Sequence, residues 1–374
     1  MNSIEPRERQ SGFDRDPETL ARRFHVFGRV EAPHLDSPMY AELSYGVSQD
    51  RELVELAAHT RLGQPPPNML FAAVQYLLLS GVEHELRRHY PAVSGEPRPP
   101  LPAFPAFREF CLTQRSRIIE QLETRLTQTN VIQRCACLLP AFVQVQRETA
   151  RPLALLEVGP SAGLNLNWDR YRYRYVDGSE REVAAWGDVG SPVSMTSELR
   201  GGRLPPLDPA VFVTSRTGID IHPIDIDDED QVRWLQALIW PEHVERHGRL
   251  LAAVRLAREH RPALLRGDAV TEAAGLLTAV PPDAAVVVFA TFVLYQMTRE
   301  QRRALLQSVA AFARDHERRV DLITMDSLAG SDSELALTTY LAGTRETRRL
   351  ARVNAHGRWL RWQGEAPKAS NSGD

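Results

Sequence analysis

Residues 157–163 read Glu-Val-Gly-Pro-Ser-Ala-Gly, directly after the apolar run LALLEV and directly before a short stretch of helical pattern. A strand, a glycine turn and a helix start form a place for a ligand at the carboxyl end of the strand. Gly159 lets the chain turn sharply and lets backbone approach the ligand, and Gly163 lets helix and strand pack closely. Free N–H groups at the helix start would favour a carboxylate or a phosphate. Ser161 stands where a nucleotide-binding turn often has its middle glycine. The same residues also spell Gly-x-Ser-x-Gly, the nucleophile elbow of an α/β-hydrolase. Ser161 would then be the nucleophile, and Asp326 and His356 follow it in the Ser, Asp, His chain order. Three features count against the elbow. Residues 1–150 carry no strand pattern from which to build an oxyanion loop, Pro160 adjoins the supposed nucleophile, and Glu157 has no role there. A turn without catalysis is the third reading.

Further acids fall at the ends of later apolar runs. Gly218-Ile-Asp220-Ile-His222-Pro223 ends a hydrophobic strand on Asp220, which is placed to accept hydrogen bonds from ribose hydroxyls. The usual spacing from the glycine turn is about 20 residues. The longer gap here is filled by an insertion, RYRYRY, a turn at Asp177-Gly178 and Glu182–Trp186, which read as a hairpin. Asp220, His222 and Asp225 could also hold a metal, but no further ligand set is visible and no metal is expected. Asp225, Asp227 and Asp228 read as a solvated helix start. Asp268, in Arg-Gly-Asp-Ala after Ala263–Leu265, suits either an adenine amine or a helix N-cap. After the buried run VVVFA the chain emerges through Thr291, Tyr295 and Gln296. Tyr295 is a candidate for contact with substrate, whereas Phe289, Phe292 and Leu294 read as core. His356, in the last hairpin, is a candidate general base or a turn residue.

These residues need a frame, and the hydrophobic periodicity supplies one. From Pro17 to Thr149 the patterns are helical. Ser48 and Asn68 are candidate caps, and Met69–Ser80 is apolar nearly all round. A proline-rich loop spans Pro91–Pro105. From residue 151 short apolar runs alternate with helical patterns: Leu153–Val158, Thr217–Ile221, Ala285–Ala290 and Val320–Met325, separated by Asp230–Ile239, His243–Glu259 and Thr298–Arg314. That alternation predicts βαβ units and a parallel sheet. Leu335–Leu341 and Leu350–Trp362 alternate instead and predict an antiparallel edge hairpin. The expected organisation is a helical cap domain over residues 15–150, a Rossmann-like domain over 151–364 and a disordered tail over 365–374.

Composition narrows the function classes. The 374 residues carry a net charge of −3, with 43% hydrophobic and 25% charged side chains, which is ordinary for a globular chain. Nothing there draws the chain to nucleic acid or to an acidic membrane, so neither is an expected partner. The three cysteines, Cys111, Cys135 and Cys137, are too few for a disulfide framework and read as reduced thiols on helices. No signal peptide or membrane span is evident, so a cytoplasmic location is expected. The alternating RYRYRY could clamp nucleic acid, but tyrosines packed inward on a hairpin is the plainer reading. His243 and His247 lack the zinc-site glutamate and read as helix-surface residues.

The stretches LLEVGPSAGLNLNWDRY, GIDIHPIDI, WLQALIWPE, RGDA and HGRWLRW, with QPPPNMLFAAVQYLLLSG and TNVIQRCACLLPAF before them, resemble a large bacterial family known as a domain of unknown function. The resemblance runs from Arg22 to Trp362 and implies that the helical and α/β regions belong together. A remoter resemblance, to class I S-adenosylmethionine-dependent methyltransferases, rests on Glu157, Gly159, Gly163, Asp220 and Asp268. It implies an α/β, Rossmann-like, mostly parallel sheet of that type, with an antiparallel C-terminal hairpin and an N-terminal all-α domain. It further implies S-adenosylmethionine as cofactor. Glu157, Gly159, Ser161 and Gly163 would hold its methionyl end, Asp220 the ribose and Asp268 the adenine. Tyr295 and His356 are the candidate catalytic residues toward an acceptor substrate that the sequence does not identify. A serine hydrolase and a non-catalytic nucleotide-binding scaffold remain the alternatives, and the oligomeric state is not written in the sequence.

Overall fold

A computed structural model describes residues 15–96, 102–201, 203–207, 211–327 and 332–364 of the chain. The tail expected over residues 365–374 and part of the proline-rich loop lie outside them. The chain divides into two compact units. One holds the residues up to Thr129 together with Asp227–Leu251, and the other holds Asn130–Ile226 and the residues from Ala252 onward. The division lies at residue 129 rather than 150, so helix Cys135–Thr149 belongs to the second unit.

The first unit is helical throughout its described residues. Its helices include Pro17–Val26, Pro38–Gln49, Arg51–Ala57, Pro66–Leu79, Phe104–Thr113, Arg115–Thr124 and Glu229–Ala237. Ser48 lies inside helix Pro38–Gln49, and the cap falls instead to Asp50, whose carboxylate accepts from the Leu53 amide. Asn68 likewise sits within a helix that starts two residues earlier, because Pro66 and Pro67 fit a first turn, where amide hydrogens have no intrahelical partner. Asp228 caps Glu229–Ala237, in keeping with its reading as a helix start. The core is aromatic. Tyr40 stacks on Phe71 with centroids 4.4 Å apart, and Trp240 packs on both Phe27 and Tyr40. His243 and His247 are not two surface residues. His243 stacks on Trp240 and donates to the Leu35 carbonyl at 2.8 Å, and His247 is buried, its pKa pushed down to about 4 by burial.

The second unit is α/β and is built on one eleven-stranded sheet. Its strands are β1 (Leu153–Val158), β2 (Arg172–Val176), β3 (Glu182–Trp186), β4 (Ser194–Leu199), β5 (Val213–Asp220), β6 (Ala263–Arg266), β7 (Ala285–Thr291), β8 (Val320–Ser327), β9 (Asp332–Leu341), β10 (Thr344–Asn354) and β11 (Trp359–Trp362). The spatial order is β3-β2-β4-β11-β10-β9-β8-β7-β1-β5-β6. The segment β6-β5-β1-β7-β8 is parallel throughout, and β8, β9, β10 and β11 run antiparallel in turn. The mostly parallel half and the antiparallel C-terminal hairpin of the sequence reading are therefore both present, but the hairpin lies inside the sheet, between β8 and β4, rather than at its edge, because β4 pairs with β11. The sequence reading missed β4, which joins β2 to β11 and makes the inserted hairpin part of the same sheet.

All six residues of β1 and all seven of β7 are buried, as expected for central strands covered on both faces. On one face Leu156, Val158, Val286, Val288 and Ala290 pack with Ala273 and Leu277 of helix Ala269–Thr278 and with Leu305, Val309 and Phe312 of helix Arg299–Asp315. On the other, Phe142 of helix Cys135–Thr149 meets Phe289 edge-on and stacks on Trp168 at 4.5 Å. The RYRYRY tyrosines pack inward. Tyr171, Tyr173 and Tyr175 are fully buried, and their hydroxyls donate to the carbonyls of Leu164, Trp168 and Ala136. All three cysteines are buried free thiols, and burial raises the pKa of Cys137 to about 12. Among the described residues no helix is long and apolar enough to cross a membrane.

Candidate functional site

In the parallel half, the chain builds outward from β1 to β5 and β6, then returns to the other side of β1 to lay down β7 and β8. The direction of building therefore reverses between β1 and β7. A crevice opens at the carboxyl ends of strands at such a point, where ligands of open α/β sheets bind. The residues that leave β1 and β7 at those ends are conformationally unusual. Gly159 and Gly163 have φ of 69°, and two non-glycine residues, Ser161 at 56° and Phe292 at 57°, share the left-handed region. An aromatic residue there is uncommon, and such strain gathers where function requires it.

The glycines answer to close contacts. A Cβ on Gly159 would lie 2.5 Å from Val293 Cγ2, and one on Gly163 would lie 2.7 Å from Leu264 Cδ2. Gly218 of β5 makes room for Pro160, since a Cβ there would meet the proline ring at 2.7 Å. Pro160 is thus seated in the turn by its neighbour strand.

Glu157, the acid two residues before Gly159, is 1% exposed. One of its oxygens accepts from Asn165 Nδ2 at 3.4 Å, and the other, Oε2, has no hydrogen-bond partner among the described residues. Burial pushes its carboxyl up to about 8, partly opposed by the Asn165 hydrogen bond. Ser161, 4% exposed, also buries its Oγ without a partner. Buried polar atoms are nearly always paired, so two orphans flanking one glycine turn call for an explanation.

Asp220, at the end of β5, holds the turn. Its Oδ2 accepts from the Ser161 amide and its Oδ1 from the His222 amide, both at 2.9 Å. The Ser161 carbonyl in turn accepts from the Ile224 amide at 3.0 Å. Asp268 is the N-cap of helix Ala269–Thr278, accepting from the Val270 amide at 2.9 Å.

The short helical stretch expected after the glycine turn is present, but it is not an α-helix. Leu164–Arg170 is a 3₁₀ segment kinked at Asn167. The Gly163 amide donates to the Pro160 carbonyl, and the Leu164 amide to Asn130 Oδ1. These amides are committed to the fold, so no α-helical N-terminus stands ready for a phosphate here.

Past β7, Phe292 is only partly buried and is no core residue, unlike Phe289. Its ring lies under the guanidinium of Arg134, 4.2 Å from centroid to Cζ. Tyr295 follows in a 3₁₀ turn, is 56% exposed and meets Phe292 edge-on. Asp326, near the end of β8, has its carboxyl raised by burial, with the Ser327 amide working the other way. Arg134 was not singled out by the sequence. Its Nε donates to the Ala355 carbonyl at 2.9 Å, and its charge works against burial at Glu157, Tyr295 and Asp326 alike. His356 lies in the β10–β11 turn, where Asn354 Oδ1 accepts from its amide at 3.0 Å. Because Ser161 Oγ has no hydrogen-bond partner among the described residues, it is bonded to neither His356 nor Asp326 as a triad would require.

No curated protein matches the chain. Residues 21–362 match the family described as "Uncharacterized protein conserved in bacteria (DUF2332)", and the chain belongs to that family.

Proposed function

We propose that the second unit binds S-adenosylmethionine over the carboxyl ends of β1 and β5 and transfers its methyl group to an acceptor beyond β7 and β8. The observation that carries this reading is the pair of orphaned buried atoms, Glu157 Oε2 and Ser161 Oγ, on either side of Gly159 at the reversal of strand order. A buried acid with a vacant oxygen suits a ligand that brings an ammonium group. The missing helix start argues in the same direction. A dinucleotide places its pyrophosphate on free amides at an α-helix N-terminus, and Leu164–Arg170 offers none. Asp220 stands at the end of β5 beside the turn, where a carboxylate suits ribose hydroxyls. Asp268 is engaged as a helix cap, so its adenine role rests on its remaining acceptor capacity.

When bound, the donor supplies a methyl group activated by a sulfonium. The protein's part is to align the acceptor in line with that group and to exclude water, and neither task requires a strong base. Gly159 and Gly163 let the turn pack against Val293 and Leu264, Glu157 and Ser161 orient the amino-acid end, and Phe292 and Tyr295 wall the acceptor side.

The test is thermal unfolding and calorimetric binding with S-adenosylmethionine and S-adenosylhomocysteine. Ligand at 100 times its Kd should add about 2.7 kcal/mol of stability. Saturable binding that Asp220→Ala weakens supports the reading, and no binding at millimolar ligand removes it. Binding without turnover on any acceptor would point to a sensor or scaffold. One observation favours a second reading, because a left-handed serine is also what an elbow needs. Labelling of Ser161 by a fluorophosphonate would establish that hydrolase.

A further inference from the structure

We infer that Asn165 and Cys135 are positioning residues for Glu157: together they hold one oxygen of its carboxyl as a fixed acceptor and leave Oε2 as the oxygen that meets a ligand's ammonium group. The inference deepens the donor reading proposed above and rests on it for the identity of that ligand, though not for the contacts themselves. Glu157 lies near the end of β1, Asn165 in the 3₁₀ segment after the glycine turn, and Cys135 at the start of helix Cys135–Thr149. All three are buried. Their contacts run in one line. The Cys135 thiol lies 3.4 Å from Asn165 Oδ1, and Asn165 Nδ2 lies 3.4 Å from Glu157 Oε1. Glu157 Oε2, at the far end, has no hydrogen-bond partner among the described residues.

Chemistry gives the line its direction. A primary amide has a donor end and an acceptor end, and sulfur accepts hydrogen bonds only weakly. Burial raises the Cys135 thiol well above its ordinary pKa, so it keeps its proton and donates. It takes the amide oxygen of Asn165 and thereby turns the amide nitrogen toward the carboxyl. The opposite orientation would set the amide oxygen against an ionised Glu157. Backbone fixes the place where this happens. Leu164, the residue before Asn165, donates its amide to Asn130 Oδ1 at 3.0 Å, and its carbonyl accepts from the Tyr171 hydroxyl at 2.5 Å.

A hydrogen bond donated to an acid favours its charged form. Burial disfavours that form at Glu157, and the Asn165 hydrogen bond is the strongest influence opposing burial. Of the other groups within electrostatic reach, Asp220 of β5 adds to the effect of burial and Arg134 opposes it, while the Tyr171 phenol is itself raised by burial. Asn165 therefore readies the carboxyl to receive a cation, and Cys135 readies Asn165. A role in packing alone would weaken every ligand alike and at every pH.

S-adenosylhomocysteine, which carries an ammonium group, and methylthioadenosine, which lacks the amino-acid end, are the probes. Calorimetry on the full chain follows both at pH 7 and pH 9. Asn165→Leu removes one hydrogen bond to a charged group, so it should weaken S-adenosylhomocysteine about tenfold at pH 7 and leave methylthioadenosine within about threefold. The deficit should narrow at pH 9, because a carboxyl held at about 8 is then largely ionised. In the protein without ligand, the titration of Glu157 is read from the stability of each variant against its Glu157→Gln counterpart across pH. Asn165→Leu should move that titration upward, Cys135→Ala should move it less, and Cys135→Ser, which keeps a donor, should restore it. If Asn165→Leu does not fold, the two Cys135 variants carry the test, and identical titrations in them overturn the inference. So does an unmoved titration in Asn165→Leu, or an equal loss of both ligands that is flat with pH. A raised titration in a chain that binds neither ligand overturns the donor reading alone.

Discussion

The Ser161 amide donates to Asp220 Oδ2 at 2.9 Å, so the turn that leaves β1 is held by the residue that ends β5. The same carboxylate holds the next turn through the His222 amide. Asp220 thus shapes the floor of the site before any ligand arrives. Asp220→Ala should cost about 1–3 kcal/mol, because two backbone donors lose their acceptor. Asp220→Asn keeps one acceptor oxygen and should fall between wild type and alanine. Urea unfolding of the three proteins checks that order. An alanine variant as stable as wild type would show that the turn holds without it.

Glu157 predicts a dependence on pH. Its carboxyl moves from an ordinary 4.5 to about 8 in the folded chain, because it is buried. Across that window the folded protein keeps a proton that the unfolded chain releases. The stability this group contributes is complete below about pH 4.5 and is lost as pH rises toward 8. Glu157→Gln cannot ionise, so its melting temperature relative to wild type should climb between pH 5 and pH 8. A difference that is flat with pH would contradict the buried, protonated carboxyl. If a cationic ligand binds there, wild type should also release protons on binding near pH 7. Calorimetry in buffers of different ionisation enthalpy reads that release directly.

A second carboxylate behaves in the opposite sense. Glu148 accepts from Arg348 through both oxygens, at 2.6 and 2.9 Å, and from Arg319 at 2.5 Å, while Arg319 also pairs with the buried Asp321. Burial alone would raise the Glu148 carboxyl, but these hydrogen bonds overcome it and hold it at about 2. Its contribution is present above pH 4.5 and is lost as pH falls through about 2. Glu148→Gln should destabilise at pH 7 by about 1–3 kcal/mol, since it leaves two partly buried arginines short of a partner. The deficit should shrink in acid, which a melting series from pH 7 to pH 3 would reveal.

At Gly357 a single methyl group should be costly. Its φ is 76°, and a Cβ there would lie 2.2 Å from the backbone oxygen of Gln133. Backbone cannot swing aside as a side chain can. Gly357→Ala should therefore cost at least about 2 kcal/mol. Gly343→Ala, with φ of 79° but open space around it, meets only the backbone strain and should cost less. Equal losses in the two variants would mean that the contact with Gln133 yields easily.

The parallel strands were legible because each contains a short apolar run, closed in all but β7 by glycine or an acid, a pattern with a local cause. The Gly159 turn was legible for the same reason. Arg134 was not. It stands at the head of an apolar helix, and the carbonyl that fixes it belongs to Ala355, far along the chain. Nothing in its neighbourhood announces such a partner. Phe292 was read as core because a phenylalanine beside a buried strand usually is, and a left-handed backbone leaves no mark on an aromatic residue's type. The segment Leu164–Arg170 reads only as a short helical stretch. It stays 3₁₀ where the Leu164 amide is taken by Asn130 and the Tyr171 hydroxyl takes the Leu164 carbonyl. The strand Ser194–Leu199 was missed because its apolar positions are few and its partner β11 comes near the end of the unit.

That last pairing bears on how the sheet is assembled. β2, β3 and β4 are made early, yet β4 connects to the remainder only through β11, residues Trp359–Trp362. On a ribosome the three strands must wait, with an unsatisfied edge, until nearly the whole unit has been synthesised. Closure of the sheet is a late, long-range event of the kind that slows folding and exposes strand edges to wrong partners. A nascent chain stopped before residue 359 would keep β6 through β10 and leave β3, β2 and β4 unjoined to them, so the last tryptophans act as the clasp between the two parts of the sheet.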